Sequence, residues 1–174
     1  MAESNQKALA QTPAGTTEPA IRICVQNADF DLAAEYAALR QHNRQIGAIA
    51  TFTGLVREFE ANTAEPLSSL ELEHYPGMTE KLIAEIVQQA AQRWPLHAVT
   101  VIHRVGELQP ADQIVLVGVA ASHRDAAFSA AEWVMDFLKT RATFWKRVTE
   151  NGSARWVEAK ESDQRAADRW ESAP

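Results

Sequence analysis

A chain of 174 residues, 46% hydrophobic and 23% charged, has the composition of an ordinary globular protein and the length for one well-buried core. Its formal net charge of −6 and sequence pI near 5.4 argue against nucleic-acid or anionic-membrane binding, since either needs a broad basic face. The single cysteine, Cys24, excludes an intrachain disulfide and a cysteine-rich metal cluster, and it suits a reducing, cytoplasmic compartment.

Residues 1–20 hold only Met1 and Leu9 as large apolar side chains, so they read as a disordered tail with no signal-peptide core. No apolar run approaches the roughly 20 residues of a membrane span. "IRICV" (21–25) reads as a strand and "DLAAEYAALRQ" (31–41) as a short helix starting at Asp29 or Asp31. "QIGAIATFTG" (45–54) is rich in strand formers, residues 57–67 are a polar loop, and "SSLELEHY" (68–75) alternates like a half-buried strand. From Thr79, taken as the cap, a helix runs to Trp94 with Leu82, Ile83, Ile86, Val87 and Ala90 on one face.

"AVTVIHRVG" (98–106) and "DQIVLVGVAA" (112–121) are two further strands, the second apolar enough to be central. Ser122 with Asp125 resembles a capping box, opening a second long helix whose core face holds Ala127, Ala130, Ala131, Val134 and Leu138. "FWKRVT" and "ARWVEA" flank an Asn-Gly hairpin signal. The expected fold is α+β: two long helices on a largely antiparallel sheet, with a small additional β subdomain near the C-terminus. Residues 21–170 are expected to form a single domain, with 171–174 as a C-terminal tail.

The stretch "FLKTRATFWKR" (137–147) carries four cations and no acid, so the rest of the chain carries −10 (−6 less +4). Such concentration fits a small local anion better than a polyanion. His123 and Arg124 open the second long helix, where free N–H groups and the dipole favour an anion, although surface charges at helix starts are common. Lys139 shares a helix face with Met135, and Phe128 and Ala131 extend that face. An apolar wall there would make the amine a usable base or nucleophile, while the plainer role is to complement the helix dipole.

Strand alternation lets only one of Lys146 and Arg147 face a site with Lys139, and Arg147 is kept as a further anion contact. Arg57 follows a strand end, where side chains often reach a cleft, and His103–Arg104 lies within a strand and reads as structural. The five histidines lack metal-ligand spacing, and there is no Walker loop, nucleophile elbow or dinucleotide fingerprint. Chemistry therefore rests on Lys and Arg acting on an anionic small molecule.

The segments "ATFTGLVRE", "LELEHYPGMTEK", "RWPLHAVTVIHRVGEL", "SHRDAAFSAAEWVMDFLKTRATFWKR" and "RWVEAKESDQ" resemble the large, catalytic subunit of molybdopterin synthase. The resemblance runs from about residue 46 to 170, with several long motifs in order. It implies a sulfurtransferase of molybdenum cofactor biosynthesis that converts cyclic pyranopterin monophosphate into the dithiolene-bearing molybdopterin. The implied sulfur donor is a small ubiquitin-like subunit with a C-terminal Gly-Gly thiocarboxylate, so no cofactor is needed.

By the same resemblance, Lys139 and Lys146 match the catalytic lysines, and Arg57, His123 and Arg124 match the anion- and pterin-binding residues. Met135 and Phe52 match pocket-lining positions; from pattern alone Phe52 reads as core. Leu55 stands where some relatives carry lysine, and Thr143 where proline is usual before "FWKR". His123 and Lys139, 16 residues apart on one helix, have backbones roughly 24 Å apart. If both serve one substrate they come from different chains, which implies a homodimer and, with two small subunits, a heterotetramer. Two readings from other classes stay open: a non-catalytic scaffold that captures a partner's C-terminal carboxylate, and a metal-free phosphate-ester hydrolase.

Overall fold

The computed structural model describes residues 18–58, 67–150, 153–157 and 161–171. Strand β1 (Ala20–Gln26) leads to helix α1 (Leu32–Gln41), capped by Asp31, whose carboxylate accepts from the N–H of Ala33 and Ala34 at 2.8 and 3.2 Å. Strands β2 (Ala48–Leu55) and β3 (Leu67–His74) precede helix α2 (Met78–Arg93). Strands β4 (Leu96–Arg104), β5 (Gly106–Leu108) and β6 (Gln113–Ala121) then lead into helix α3 (Arg124–Arg141). Strands β7 (Phe144–Glu150) and β8 (Ser153–Val157) and helix α4 (Glu161–Glu171) follow.

The strands make two four-stranded sheets, β1-β4-β6-β2 and β5-β3-β7-β8. Only the β1–β4 pair is parallel, so the expected α+β, largely antiparallel fold holds. Strand β6 is interior to its sheet, as its unbroken apolar run requires. One face of the first sheet buries Val99, Val101, Val117 and Val119 against Ile83, Ile86 and Val87 of α2 and Ala130 and Val134 of α3. All five core residues expected on α3 are buried. The opposite face is covered by α1 through Leu39, against Ala98 and Ala120. Gly118 permits that approach, since a Cβ there would lie 2.6 Å from Leu39 Cδ1.

The second sheet has its own small core of Leu70, Leu72, Leu108 and Val148, with Val56 inserted from the end of β2. The β7–β8 register pairs Glu150 with Ser153, as the hairpin signal predicts, while Asn151 and Gly152 lie outside the described residues. So do residues 59–66 of the polar loop and most of the expected N-terminal tail. Ala20, assigned to that tail, is the first residue of β1 and pairs with Ala98.

Both expected helix caps are corrected. The α2 cap is Gly77, whose φ of 81° suits glycine, and its N–H donates to the Glu80 carboxylate at 2.7 Å. Thr79 is fully buried instead: its hydroxyl accepts from the Tyr75 N–H and donates to the Thr143 carbonyl, both at 3.1 Å. At α3 the cap is His123, without a side-chain capping bond, because the Ser122 hydroxyl is engaged 2.7 Å from His97 Nε2. Helix α4 has no counterpart in the sequence reading. It docks on α3 through Arg169, which bonds Glu132 and Asp136, and through Trp170, whose Nε1 donates to Asp136 at 2.8 Å.

Candidate active site

Where the two sheets meet, a cleft of about 620 Å³ opens. Strand β2 supplies Phe52 and the segment just after it Arg57, α3 supplies Met135 and Lys139, and β7 supplies Lys146. Apolar walls come from Leu70, Ile114 and Val115. Five of the expected site residues therefore converge. Phe52 is 42% exposed, a wall of the cleft and not a core residue.

The basic stretch 137–147 is divided by local geometry. Lys139 and Lys146 reach the cleft, whereas Arg141 turns outward to Gln89 Oε1 at 3.0 Å and lies over the Phe137 ring. Alternation along β7 sends Arg147 to the opposite face of the second sheet from Lys146. There Arg147 is held by Glu71, its register partner on β3, and lies over the Trp156 ring at 5.7 Å. The Glu71 hydrogen bond raises its pKa further above the ordinary arginine value. The structure does not bring Arg147 to the cleft.

The apolar wall expected around Lys139 is only partly present. Met135 lines the cleft, but Ala131 is buried in the core and Phe128 is 65% exposed. The Lys139 side chain is 52% exposed, and its Nζ lies 3.4 Å from Asp163 of α4. A half-solvated ion pair thus stands at this helix end, closer to the plainer of the two readings than to a desolvated amine.

His123 and Arg124 lie at the far end of α3, outside the cleft. Both are exposed, and Arg124 lies 3.7 Å from Asp125. The ground beneath them is firm. His97 bridges Ser122 to Asn43, 3.3 Å from its Nδ1, and the Gly47 N–H donates to the Ala121 carbonyl at 3.1 Å. A Cβ at Gly47 would lie 2.3 Å from the Ser122 carbonyl oxygen, so glycine is required there.

One cleft residue was read from the sequence as structural only. His103 on β4 lines the cleft, stacked on Phe144 with ring centroids 3.7 Å apart and planes 13° apart. Desolvation pushes its pKa down to about 4, against a small upward pull from the Arg104 carbonyl, so it is neutral at pH 7. No spacing rule finds it, because its stacking partner is 41 positions away in sequence. Among the described residues, no cluster of His, Cys, Asp or Glu could hold a metal ion, and no helix is long and apolar enough to cross a membrane.

An α+β domain whose two sheets flank a cleft carrying two lysines and an arginine has the build of an enzyme for small anionic substrates. The chain belongs to the MoaE protein family, whose model matches residues 25–141, and it is an enzyme of molybdenum cofactor biosynthesis. It is 57% identical over 152 residues to the molybdopterin synthase catalytic subunit of Ralstonia nicotianae, covering 87% of this chain and 84% of that one. Its counterpart in Escherichia coli is 54% identical over 149 residues, covering 86% and 97%. The solved MoaE protein of Burkholderia ambifaria superposes with a TM-score of 0.75 at 50% identity, covering 87% of this chain and 98% of that one.

Proposed function

We propose that this chain transfers sulfur from the thiocarboxylated C-terminus of a small ubiquitin-like subunit to cyclic pyranopterin monophosphate, forming the dithiolene of molybdopterin. The observation that carries the reading is the convergence of Lys139, Lys146 and Arg57 in one cleft of a MoaE-family chain. Relatives named as a catalytic subunit imply a further subunit, in keeping with a donor that is itself a protein.

In this mechanism the thiocarboxylate sulfur forms a C–S bond to the pterin side chain as a C–O bond of the cyclic phosphate breaks, the oxygen staying on the opened phosphate. An acyl group then bridges small subunit and substrate, and a second thiocarboxylate delivers the other sulfur in the same way, the side-chain oxygen it replaces leaving as water. Water then releases that acyl group as a carboxylate, and the sulfur stays on the pterin. Lys146, as a cation, steadies the thiocarboxylate or the tetrahedral oxyanion. Lys139 moves the proton, as base or acid, once substrate has displaced its contact with Asp163. Arg57 binds the phosphate, and Phe52 and Met135 flank the ring.

His123 and Arg124 join from the other protomer of a homodimer, a reading that fits two basic side chains left exposed on a well-braced helix end. Two such composite sites, each with one small subunit, make a heterotetramer in the cytoplasm. The test is to incubate the chain with the precursor and the thiocarboxylated small subunit and to look for a dithiolene product. Product supports the synthase; partner binding without turnover points to a scaffold; phosphate release without any partner points to a hydrolase.

A further inference from the structure

The cleft as described is rich in hydrogen-bond donors and poor in acceptors. Lys146 and Arg57 offer donors only, Lys139 is reserved for proton transfer, and most of the remaining lining is apolar. A pyranopterin presents N–H donors of its own, from its exocyclic amine and its ring nitrogens, and Lys146 and Arg57 cannot receive them. Among the described lining side chains, the strong acceptors are the Thr53 hydroxyl and the His103 imidazole.

His103 is fixed on two sides. Its Nδ1 lies 2.8 Å from the Arg104 carbonyl oxygen, which can only accept, so Nδ1 carries the proton and Nε2 keeps its lone pair. That carbonyl is itself well held: the Arg104 side chain donates to the carbonyls of Asn27 and Gln113 at 3.2 and 3.0 Å and lies 3.5 Å from Asp29. One ring face is covered by Phe144, which shares β7 with Lys146 two residues on. The stack therefore sets the imidazole against the same strand that presents a catalytic lysine. Among the described residues, Nε2 has no hydrogen-bond partner.

Resting on the substrate proposed above, we propose that His103 is a substrate-recognition residue whose Nε2 accepts a hydrogen bond from an N–H of the pyranopterin ring. It supplies one of the two strong side-chain acceptors among the described lining residues, and it discriminates against heterocycles that present a lone pair there. Its burial serves the same end, because a protonated imidazole would become a fourth donor. The bond is neutral to neutral, so its loss is worth roughly tenfold in substrate affinity.

The experiment compares His103→Phe, which keeps a ring against Phe144 but has no acceptor, with His103→Gln, which restores a side-chain oxygen. Both are assayed with cyclic pyranopterin monophosphate and the thiocarboxylated small subunit. The expected result is a KM about tenfold higher for His103→Phe with kcat within a few-fold of wild type, and partial recovery in His103→Gln. Wild-type KM in a folded His103→Phe protein overturns the proposal. Wild-type enzyme that makes no product overturns the synthase reading instead, so the two failures are distinct.

A second measurement needs no variant. In wild-type protein with isotope-labelled histidine, the precursor should shift the resonance of the unprotonated His103 nitrogen. An unmoved resonance at saturating precursor overturns the assignment, even if His103→Phe fails to fold.

Discussion

At its C-terminal end, α3 presents Met135 and Lys139 to a cleft walled by two sheets; at its N-terminal end, it presents His123 and Arg124 to solvent. The first end is furnished: an aromatic stack, apolar walls and a second lysine stand within one cavity. The second end is braced from behind by His97, Ser122 and Gly47, while His123 and Arg124 are exposed. In the proposed homodimer this exposed basic pair would be half of a site and the cleft of the other protomer, with its lysines in place, the other half. About 24 Å of helix separates them, so one protomer cannot close them on one small molecule.

The largest expected effect comes from emptying the furnished end. Lys139→Ala and Lys146→Ala should each lower turnover by about 10²–10⁴-fold, the range for loss of a positioned proton-transfer or charge-stabilising group. Lys139 is half exposed in the last turn of α3, so its removal should cost no more than about 1 kcal/mol of stability. Steady-state kinetics beside thermal melting separates the two quantities. A Lys139→Ala protein with most of its activity would remove that lysine from the catalytic pair.

The relation between the two ends is tested by mixing. A Lys139→Ala protein and a His123→Ala, Arg124→Ala protein, each inactive alone, are combined under conditions that exchange subunits. Every mixed dimer then holds one intact composite site and one doubly damaged site. With random exchange, about a quarter of wild-type activity should return. Mixed dimers that form and stay inactive would confine the active site to one protomer and leave His123 and Arg124 outside it.

Acid offers a subtler contrast, since the furnished end holds a buried titratable ring. The folded-state pKa of His103, about 4, lies below its unfolded value near 6.5, so the unfolded chain binds the proton more readily between these values. Its contribution to stability is fully present above pH 6.5 and is lost as pH falls toward 4, by up to about 3 kcal/mol. Of the groups around it, His74 on β3 also disfavours a positive charge on His103, while Lys139 on α3 and Lys146 on β7 line the same cleft. Denaturant titrations at pH 7 and pH 4.5 should show a smaller loss for His103→Phe than for wild type; equal losses would contradict the shift.

The sequence revealed one end of α3 better than the other, and the reason is physical. Helix periodicity placed Met135 and Lys139 on one face, and strand alternation separated Lys146 from Arg147, because both rules are local. Longer-range partners carry no such signal. His103 depends on Phe144, Lys139 on Asp163, and Thr79 on Thr143, pairs formed only when the sheets and helices meet. Helix α4 went unread because "ESDQRAADRWE" is mostly polar and docks through few residues, chiefly Arg169 and Trp170. Thr143 also gains a role: its hydroxyl lies 3.2 Å from that of Thr79, tying the turn before β7 to the start of α2.

The smallest expected effect distinguishes the two basic residues that composition treats alike. Arg57 stands at the cleft with its side chain exposed, while Arg147 lies across the second sheet, engaged by Glu71 and stacked over Trp156. A guanidinium beside a carboxylate adds little field at a distance, because the pair is nearly neutral beyond a Debye length of about 8 Å. Arg147→Gln should therefore change kcat/KM by less than about twofold and leave its dependence on ionic strength as in wild type. Arg57→Gln, by contrast, should lower kcat/KM and flatten the salt dependence, since an exposed cation at the mouth both steers and binds an anion. Measuring kcat/KM for the two variants across a salt series decides the matter. If Arg147→Gln flattens the salt dependence as much as Arg57→Gln, the basic stretch 137–147 acts as one patch after all, and its division between the two faces of β7 has no functional weight.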